Sequence, residues 1–262
     1  MAASRTRVVT EPPTAPRLGF FTSPPHECGY LPARDAVTMF TDPRLNLNLE
    51  AYTWLSAHGF RRSGAHVYRP HCGSCNACIA VRVAVDEFKP RRIHQRTIVA
   101  NQDLEIKHRP ACFDPGHFRL YESYLTARHP DSRMDSSSPS AYMNFLTAYW
   151  CETEFYEFRR KDELLAVAVV DKLGDGLSSV YTFFSPDHQN RSLGRFAILK
   201  QIEWARAANL PWVYLGYWIK ACDKMSYKDE YAPLEYYRGG HWTRDPTSLS
   251  AIVESHEAQS RR

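Results

Sequence analysis

Residues 153–219 run TEFYEFRR (153–160), KD, ELLAVAVVDKL (163–173), GDG, LSSVYTFFS (177–185), PDHQNR, SLGRFAILKQIEWARAANL (192–210), Pro211 and WVYLGYWI (212–219). The first three segments are rich in aromatic and β-branched residues and are separated by tight-turn residues. That pattern predicts an antiparallel meander. The next segment changes period: Phe196, Leu199 and Ile202 recur on one helical face. A very apolar strand follows. Three strands, a helix and a further strand predict a mixed α/β (α+β) fold with a βαβ crossover at its end.

This order matches the acyltransferase fold built around N-acetyltransferases (GNAT-like). In such folds a substrate sits where two neighbouring strands splay apart, and a helix N-terminus faces the donor's phosphates. Their phosphate loop reads Gln/Arg-x-x-Gly-x-Gly/Ala. The equivalent run here is Arg191-Ser192-Leu193-Gly194-Arg195-Phe196. Its first half fits, but Phe196 stands where a small residue would admit a pyrophosphate. An ordinary acetyltransferase using acetyl-CoA is therefore disfavoured, and the run reads equally well as a plain helix start.

Working outward, Asp42-Pro43 offers a helix N-cap and Gly59 a stop. HVYRP (66–70) leads into a cysteine cluster, and IAVRVAV (79–85) alternates like a half-buried strand. KPRRIHQRTIVANQ is basic and partly helical in pattern, and DLEIKHR (103–109) reads as a strand. Asp114-Pro115 caps a second helix with Phe118, Tyr121 and either Tyr124 or Leu125 on its apolar face. A serine-rich loop, DSRMDSSSPS, precedes another helix through Tyr142, Phe145 and Trp150. The expected division is a flexible arm over 1–17, a cysteine-containing N-terminal domain over 18–108, a GNAT-like transferase domain over 109–244 and a flexible tail over 245–262.

The 262 residues are 44% hydrophobic and 24% charged, so the chain can bury a real core. Its net charge of +4 permits a nucleic-acid partner without requiring one. The amino-terminal stretch lacks the apolar run of a signal peptide, and the aliphatic run Leu164 to Val170 is too short to span a bilayer. The expectation is a cytoplasmic protein without membrane or DNA partners. Its seven cysteines then read as thiols or metal ligands rather than disulfides.

Three stretches carry chemistry. Cys72, Cys75 and Cys78 are spaced C-x-x-C-x-x-C, and Cys28 is available as a fourth ligand for zinc or an iron–sulfur cluster. The same thiols can also pack as small hydrophobes around a tight turn. Lys89, Arg91, Arg92 and Arg96 form a run of fixed positive charge with no acid, suited to RNA phosphates or to a solvated helix face. Finally, Tyr214 to Lys228 interleaves aromatic and basic residues after the apolar strand. Tyrosines there can stack on a nucleobase, and lysines can meet a phosphate or an acidic peptide side chain.

Taken in order, these motifs resemble the aminoacyl-tRNA–protein transferases of the N-degron system, and within them the compact bacterial aspartate/glutamate leucyltransferases. The resembling residues are Cys28-Gly29-Tyr30-Leu31-Pro32, Tyr68 to Cys72 with Cys75 and Cys78, and Val81-Arg82-Val83. They continue with Tyr181 to Asp187, Arg191 to Gly194, Val213 to Ile219, Lys224-Met225 and Tyr227-Lys228. The resemblance covers about residues 18 to 243. The sequence departs from the longer eukaryotic arginyl transferases at Leu31 and in the spacing around Cys72, so the resemblance does not itself imply a metal cluster. Ala80 and Ser185 are two smaller departures from the bacterial pattern.

The resemblance implies an enzyme that transfers leucine from Leu-tRNA to the α-amine of proteins beginning with Asp or Glu, creating a destabilising N-terminus for degradation. It requires no cofactor. The alternatives are an arginyl transferase with the same acceptors and, in another class, a metal- or redox-sensing binding protein. By residue type and position, Asp187 is expected to hold an α-ammonium group. Tyr181, Tyr217 and Trp218 are expected to frame the terminal adenosine or aminoacyl group. Arg82, Lys220 and Lys228 are candidates for the acceptor's acidic side chain. Tyr227, Ser192 and Gly194 complete the substrate-binding set, and Lys89, Arg91, Arg92 and Arg96 would track tRNA phosphates.

Overall fold

The structure is a computed structural model that describes residues 18–128 and 138–247. The arm over 1–17, the serine-rich segment 131–137 and the tail from 248 lie outside the described residues. In chain order the strands are β1 (Phe20–Thr22), β2 (His26–Glu27), β3 (Asp35–Ala36), β4 (Thr38–Thr41), β5 (Arg61–Ser63), β6 (His66–Pro70) and β7 (Ile79–Ala84). They continue as β8 (Glu105–Pro110), β9 (Thr153–Arg160), β10 (Glu163–Lys172), β11 (Gly176–Phe184), β12 (Trp212–Trp218), β13 (Leu234–Arg238) and β14 (His241–Thr243). The helices are α1 (Leu49–Ala57), α2 (Arg92–Ala100), α3 (Pro115–Arg128), α4 (Pro139–Leu146), α5 (Leu193–Ala207) and α6 (Asp223–Ser226), with 3-10 turns at Pro186–Arg191 and Tyr227–Tyr231.

The result is a mixed α/β fold on an eight-stranded sheet of order β14-β13-β7-β12-β11-β10-β9-β8, with a four-stranded sheet β1-β4-β6-β5 beside it. The meander β9-β10-β11 is antiparallel, and β11-α5-β12 closes the expected parallel crossover. The run in β10 is continuous rather than alternating because both faces are covered. On one side Ala166, Ala168 and Val170 pack with Phe196, Leu199 and Ile202 of α5. On the other, Val167 and Val169 pack with Tyr121 of α3 and Tyr142 and Leu146 of α4. Each such large apolar side chain contributes about 1.5–3 kcal/mol on burial.

Two expectations need correction. The first helix does not start at Asp42, whose carboxylate instead binds the Arg44 side chain and backbone N–H in a local turn. Asn48 is the cap, accepting from the Ala51 N–H at 2.8 Å. Residues 79–84 are buried throughout rather than alternately, because β7 lies between β12 and β13 and is covered on both faces. The hairpin β13–β14, turning at Gly239-Gly240, was not anticipated. By contrast, Asp114 caps α3 as expected, accepting from the Gly116 and His117 N–H groups. The expected boundary at residue 108 falls within β8, which pairs with β9 in the large sheet.

Candidate active site in the strand splay

Two strands that begin as parallel partners separate. β11 and β12 pair only over Gly176–Ser178 and Trp212–Tyr214, yet β11 continues to Phe184 and β12 to Trp218. An irregularity in β12 between Tyr214 and Gly216 helps to open the gap, with Gly216 at φ +74°. That left-handed backbone favours glycine. A Cβ at Gly216 would also run into the guanidinium of Arg61.

Arg61 lies in this gap. It starts β5, seven residues before Tyr68 on the paired strand β6. Its Nη2 donates to the Val180 carbonyl of β11, while Nη1 lies against Gly216 of β12. The guanidinium thus sits between the two separated strands. Around it lie the phenols of Tyr30, Tyr68, Tyr217 and Tyr227. Tyr30 and Tyr227 expose 40% and 39% of their surface, but their hydroxyl ends are enclosed. Burial pushes the Tyr30 hydroxyl up to about 12, aided by Tyr68, and likewise raises Tyr227. The Tyr30 and Tyr227 hydroxyls remain neutral hydrogen-bonding groups across the cellular range.

Lys228 is the second cation of the site. It is 3% exposed, and its Nζ has the Met225 sulfur at 3.4 Å as its partner. Burial, then the facing charge of Arg61, pushes its ammonium down to about 7, with Cys222 opposing. Desolvation disfavours the charged amine, and a like charge adds to that.

Other expected residues fall into three groups. Tyr181 and Tyr217 join the splay. Burial raises the Tyr181 hydroxyl, with Tyr124 and Tyr121 adding and Arg61 opposing. Tyr217 is buried, with its hydroxyl 2.9 Å from the Tyr68 carbonyl and 3.2 Å from that of Gly59. Asp187 is exposed in the 3-10 turn beyond the end of β11, its N–H donating to Ser185 Oγ. Ser192 precedes α5 in a left-handed conformation, and Gly194 packs near Phe184. Lys220 is exposed just past β12.

Arg82 and Trp218 lie elsewhere. Arg82 pairs with Glu235 at 2.6 Å and lies over the rings of Trp212 and Trp242, 3.5 and 4.2 Å from their centroids. Its charge is already met, so it is not placed to receive an acceptor. Trp218 joins the core under α5, with its ring N–H donating to the Ser226 carbonyl. Around the α5 start, Arg191 pairs with Asp103, Arg195 with Glu230, and Phe196 is buried against Phe158. These contacts occupy the groups a pyrophosphate would need.

Lys89, Arg91, Arg92 and Arg96 are all exposed at and along α2. Arg91 also donates to the Glu230 carbonyl. They form one accessible basic surface.

Cys28, Cys72, Cys75 and Cys78 line a common cavity of about 710 Å³ beside Tyr30 and Tyr217. Among the described residues, no group of three His, Cys, Asp or Glu side chains stands in an arrangement that would hold a metal. The Leu31 N–H donates to Cys28 Sγ, the Val37 N–H to Cys72 Sγ and Arg34 Nη1 to Cys75 Sγ. Burial pushes the Cys78 thiol up to about 12, with Cys28, Cys72, Cys75 and Cys222 adding. This arrangement does not fit a resident metal.

Arg61 was absent from the sequence-based candidates. Its signal was faint: two consecutive arginines before Ser63-Gly64, in a strand whose alternation must send one inward.

Residues 116–238 match the C-terminal model, and residues 26–96 the N-terminal model, of the arginine-tRNA-protein transferase family. The chain belongs to this family. It is 52% identical over 225 residues to the aspartate/glutamate leucyltransferase of Alcanivorax borkumensis, covering 86% of this chain and 93% of that one. It is 48% identical over 239 residues to the aspartate/glutamate leucyltransferase of Teredinibacter turnerae, covering 91% and 98%. Among solved structures, L-PGS from Bacillus licheniformis aligns with a TM-score of 0.45 at 10% identity, over 69% of this chain and 64% of that one. The chain is thus an aminoacyl-tRNA–protein transferase, with an aminoacyl-tRNA and a protein as substrates. No helix among the described residues is long and apolar enough to cross a membrane.

Proposed function

We propose that the chain transfers leucine from Leu-tRNA to the α-amine of proteins with N-terminal Asp or Glu, in the cytoplasm, on a GNAT-like fold. The observation that carries this reading is the splay of β11 and β12 around the half-buried Arg61 and the buried Lys228, in a chain about half identical to named aspartate/glutamate leucyltransferases. An acidic acceptor suits such a gap, and the parallel crossover through α5 supports the fold assignment.

The reaction is aminolysis of an ester. The acceptor's neutral α-amine attacks the leucyl carbonyl, forming an amide bond. The ester C–O bond breaks, and the amine's proton ends on the departing ribose oxygen. An α-amine has a reference pKa near 8, roughly, so a useful share is neutral without a strong base. Positioning to within about 3–3.5 Å then supplies much of the rate. Asp187, exposed at the end of β11, is suited to the α-ammonium of the leucyl group. Tyr181 and the other neutral phenols can donate to the developing oxyanion. The exposed cations Lys89, Arg91, Arg92 and Arg96 are suited to tRNA phosphates.

The test is a transfer assay with peptides beginning in Asp, Glu, Lys or Ala and tRNA charged with labelled leucine or arginine. Leucine should appear on the acidic peptides alone. Transfer of arginine instead would move the assignment to the arginyl reading, and no transfer from either tRNA by folded enzyme would overturn it.

A further inference from the structure

Four arginines packed around the large sheet are neutralised by acids, Arg62 by Asp171, Arg82 by Glu235, Arg191 by Asp103 and Arg195 by Glu230, while Arg206 of α5 donates to the Val85 and Phe88 carbonyls. Arg61 departs from those four. Among the described residues no carboxylate pairs with it, and none pairs with Lys228, the cation that faces it. A guanidinium carries five N–H donors, and here one is spent on the Val180 carbonyl. Around it also lie four phenols and the bare backbone of Gly216.

Two like charges enclosed together without a countercharge are costly to bury. An anion that enters the gap removes that cost and meets a planar fork suited to bidentate binding. Carboxylate and phosphate both fit a guanidinium, so the surroundings decide. Arg61 lies inward between two strands, walled by Tyr30, Tyr68, Tyr217 and Tyr227. A half-buried guanidinium held between two strands suits a small anionic group on a short stem. A polynucleotide backbone needs an open, repeated basic surface, which α2 presents instead through Arg92 and Arg96.

We propose that Arg61, supported by Lys228, receives the side-chain carboxylate of the acceptor's N-terminal residue and sets the preference for acidic N-termini. Resting on the reading above, this moves the acid-binding role from Arg82 to Arg61. It also accounts for Gly216: a side chain there would displace the guanidinium from the gap.

The experiment compares wild-type enzyme with Arg61→Met, Arg61→Gln and Arg61→Lys. Each is assayed with peptides that begin in Asp, Glu, Asn or Ala and are otherwise identical. Leu-tRNA affinity is measured separately, and thermal unfolding confirms that each variant is folded. Arg61→Met and Arg61→Gln should lose about 10²-fold or more in kcat/KM for the Asp peptide, the scale of truncating one partner of a buried charged pair. Their Asp-over-Asn ratio should fall toward one, and their affinity for Leu-tRNA should stay within about twofold of wild type. Arg61→Lys should recover part of the acid preference, since a lysine keeps the charge but not the fork. Retention of the Asp-over-Asn preference in both Arg61→Met and Arg61→Gln would overturn the assignment. So would an equal loss with every peptide accompanied by weakened Leu-tRNA binding, which would make the bound anion a phosphate. Should one neutral variant fail to fold, the other together with Arg61→Lys still decides the matter. Wild-type enzyme that transfers to none of the peptides would instead sink the functional reading itself.

Discussion

Arg61 and Arg62 are consecutive residues of one short strand, and they live in opposite electrostatic worlds. Alternation along β5 sends them to opposite faces. Arg62 enters a sealed pocket in which its side chain and that of Asp171 are both 0% exposed. Arg62 Nε and Nη2 donate to the two Asp171 oxygens at 2.5 and 2.6 Å, and Tyr52 and Thr153 donate to the same carboxylate at 2.9 and 2.7 Å. Arg62 Nη2 reaches the Leu146 carbonyl as well. That pocket is complete. On the other face, Arg61 meets phenols, a carbonyl and a second cation. A charge that the protein neutralises itself serves the fold, whereas a charge left for something else to neutralise serves a ligand.

The largest effect should come from breaking the finished pocket. Asp171→Asn leaves the Arg62 guanidinium buried without its countercharge, which costs about 3–5 kcal/mol. Urea unfolding should show the loss as a lower midpoint at unchanged slope. The double variant Arg62→Met/Asp171→Leu should recover most of it, because apolar replacement of a whole buried pair is often neutral or better. A small loss in the single variant would show that the pocket tolerates an unpaired charge, and the contrast with Arg61 would collapse.

The opposite sign is expected next door. Arg61→Met removes an uncompensated cation, so the ligand-free enzyme should unfold at the same or a higher temperature, with a gain of about 0.5–2 kcal/mol. Activity should fall while stability does not. If Arg61→Met lowered stability as Asp171→Asn does, Arg61 would belong to the scaffold and the proposed anion site would lose its physical basis.

How much of this contrast was legible in the sequence depends on distance along the chain. The meander, the α5 stripe and the crossover rest on local periods, which one segment displays by itself. The full burial of β7 was not legible, because it depends on β13 arriving from 150 residues away. The two arginines show the limit most sharply. Their strand alternation is local, but Asp171 lies 109 residues beyond Arg62. Whether a cation has an acid is a property of topology, and no window of sequence contains it. Arg82 fell to the same problem: it looks free in IAVRVAV, yet Glu235 meets it from 153 residues on. Basic residues on α2 were easier to place, since an acid-free run on a short helix stays exposed wherever that helix packs.

The smallest effect tests whether the Arg61 pocket really contains two confronting cations. With its pKa pushed down to about 7 in the folded enzyme, Lys228 binds fewer protons there than in the unfolded chain, where the ordinary value is 10.5. The groups facing it are Arg61 from β5 and Cys222 and Tyr227 from its own loop. Stability rises with pH wherever the unfolded state holds more protons. Below the folded value both states are protonated and the penalty is full and constant. From about 7 upward it diminishes, and above the unfolded value it is gone. Lys228→Met has no such group. The stability of wild type minus that of Lys228→Met should therefore rise by about 1 kcal/mol between pH 7 and 8, measured by urea unfolding without substrate. Adding Arg61→Met to both proteins should reduce that rise without abolishing it, because Lys228 then keeps its proton to somewhat higher pH while burial, the larger cause, still holds it down. Parallel pH profiles for wild type and Lys228→Met would mean that Lys228 titrates like a solvated lysine. The gap between β11 and β12 would then hold one uncompensated cation, and Arg61 alone would have to account for the demand for an acidic acceptor.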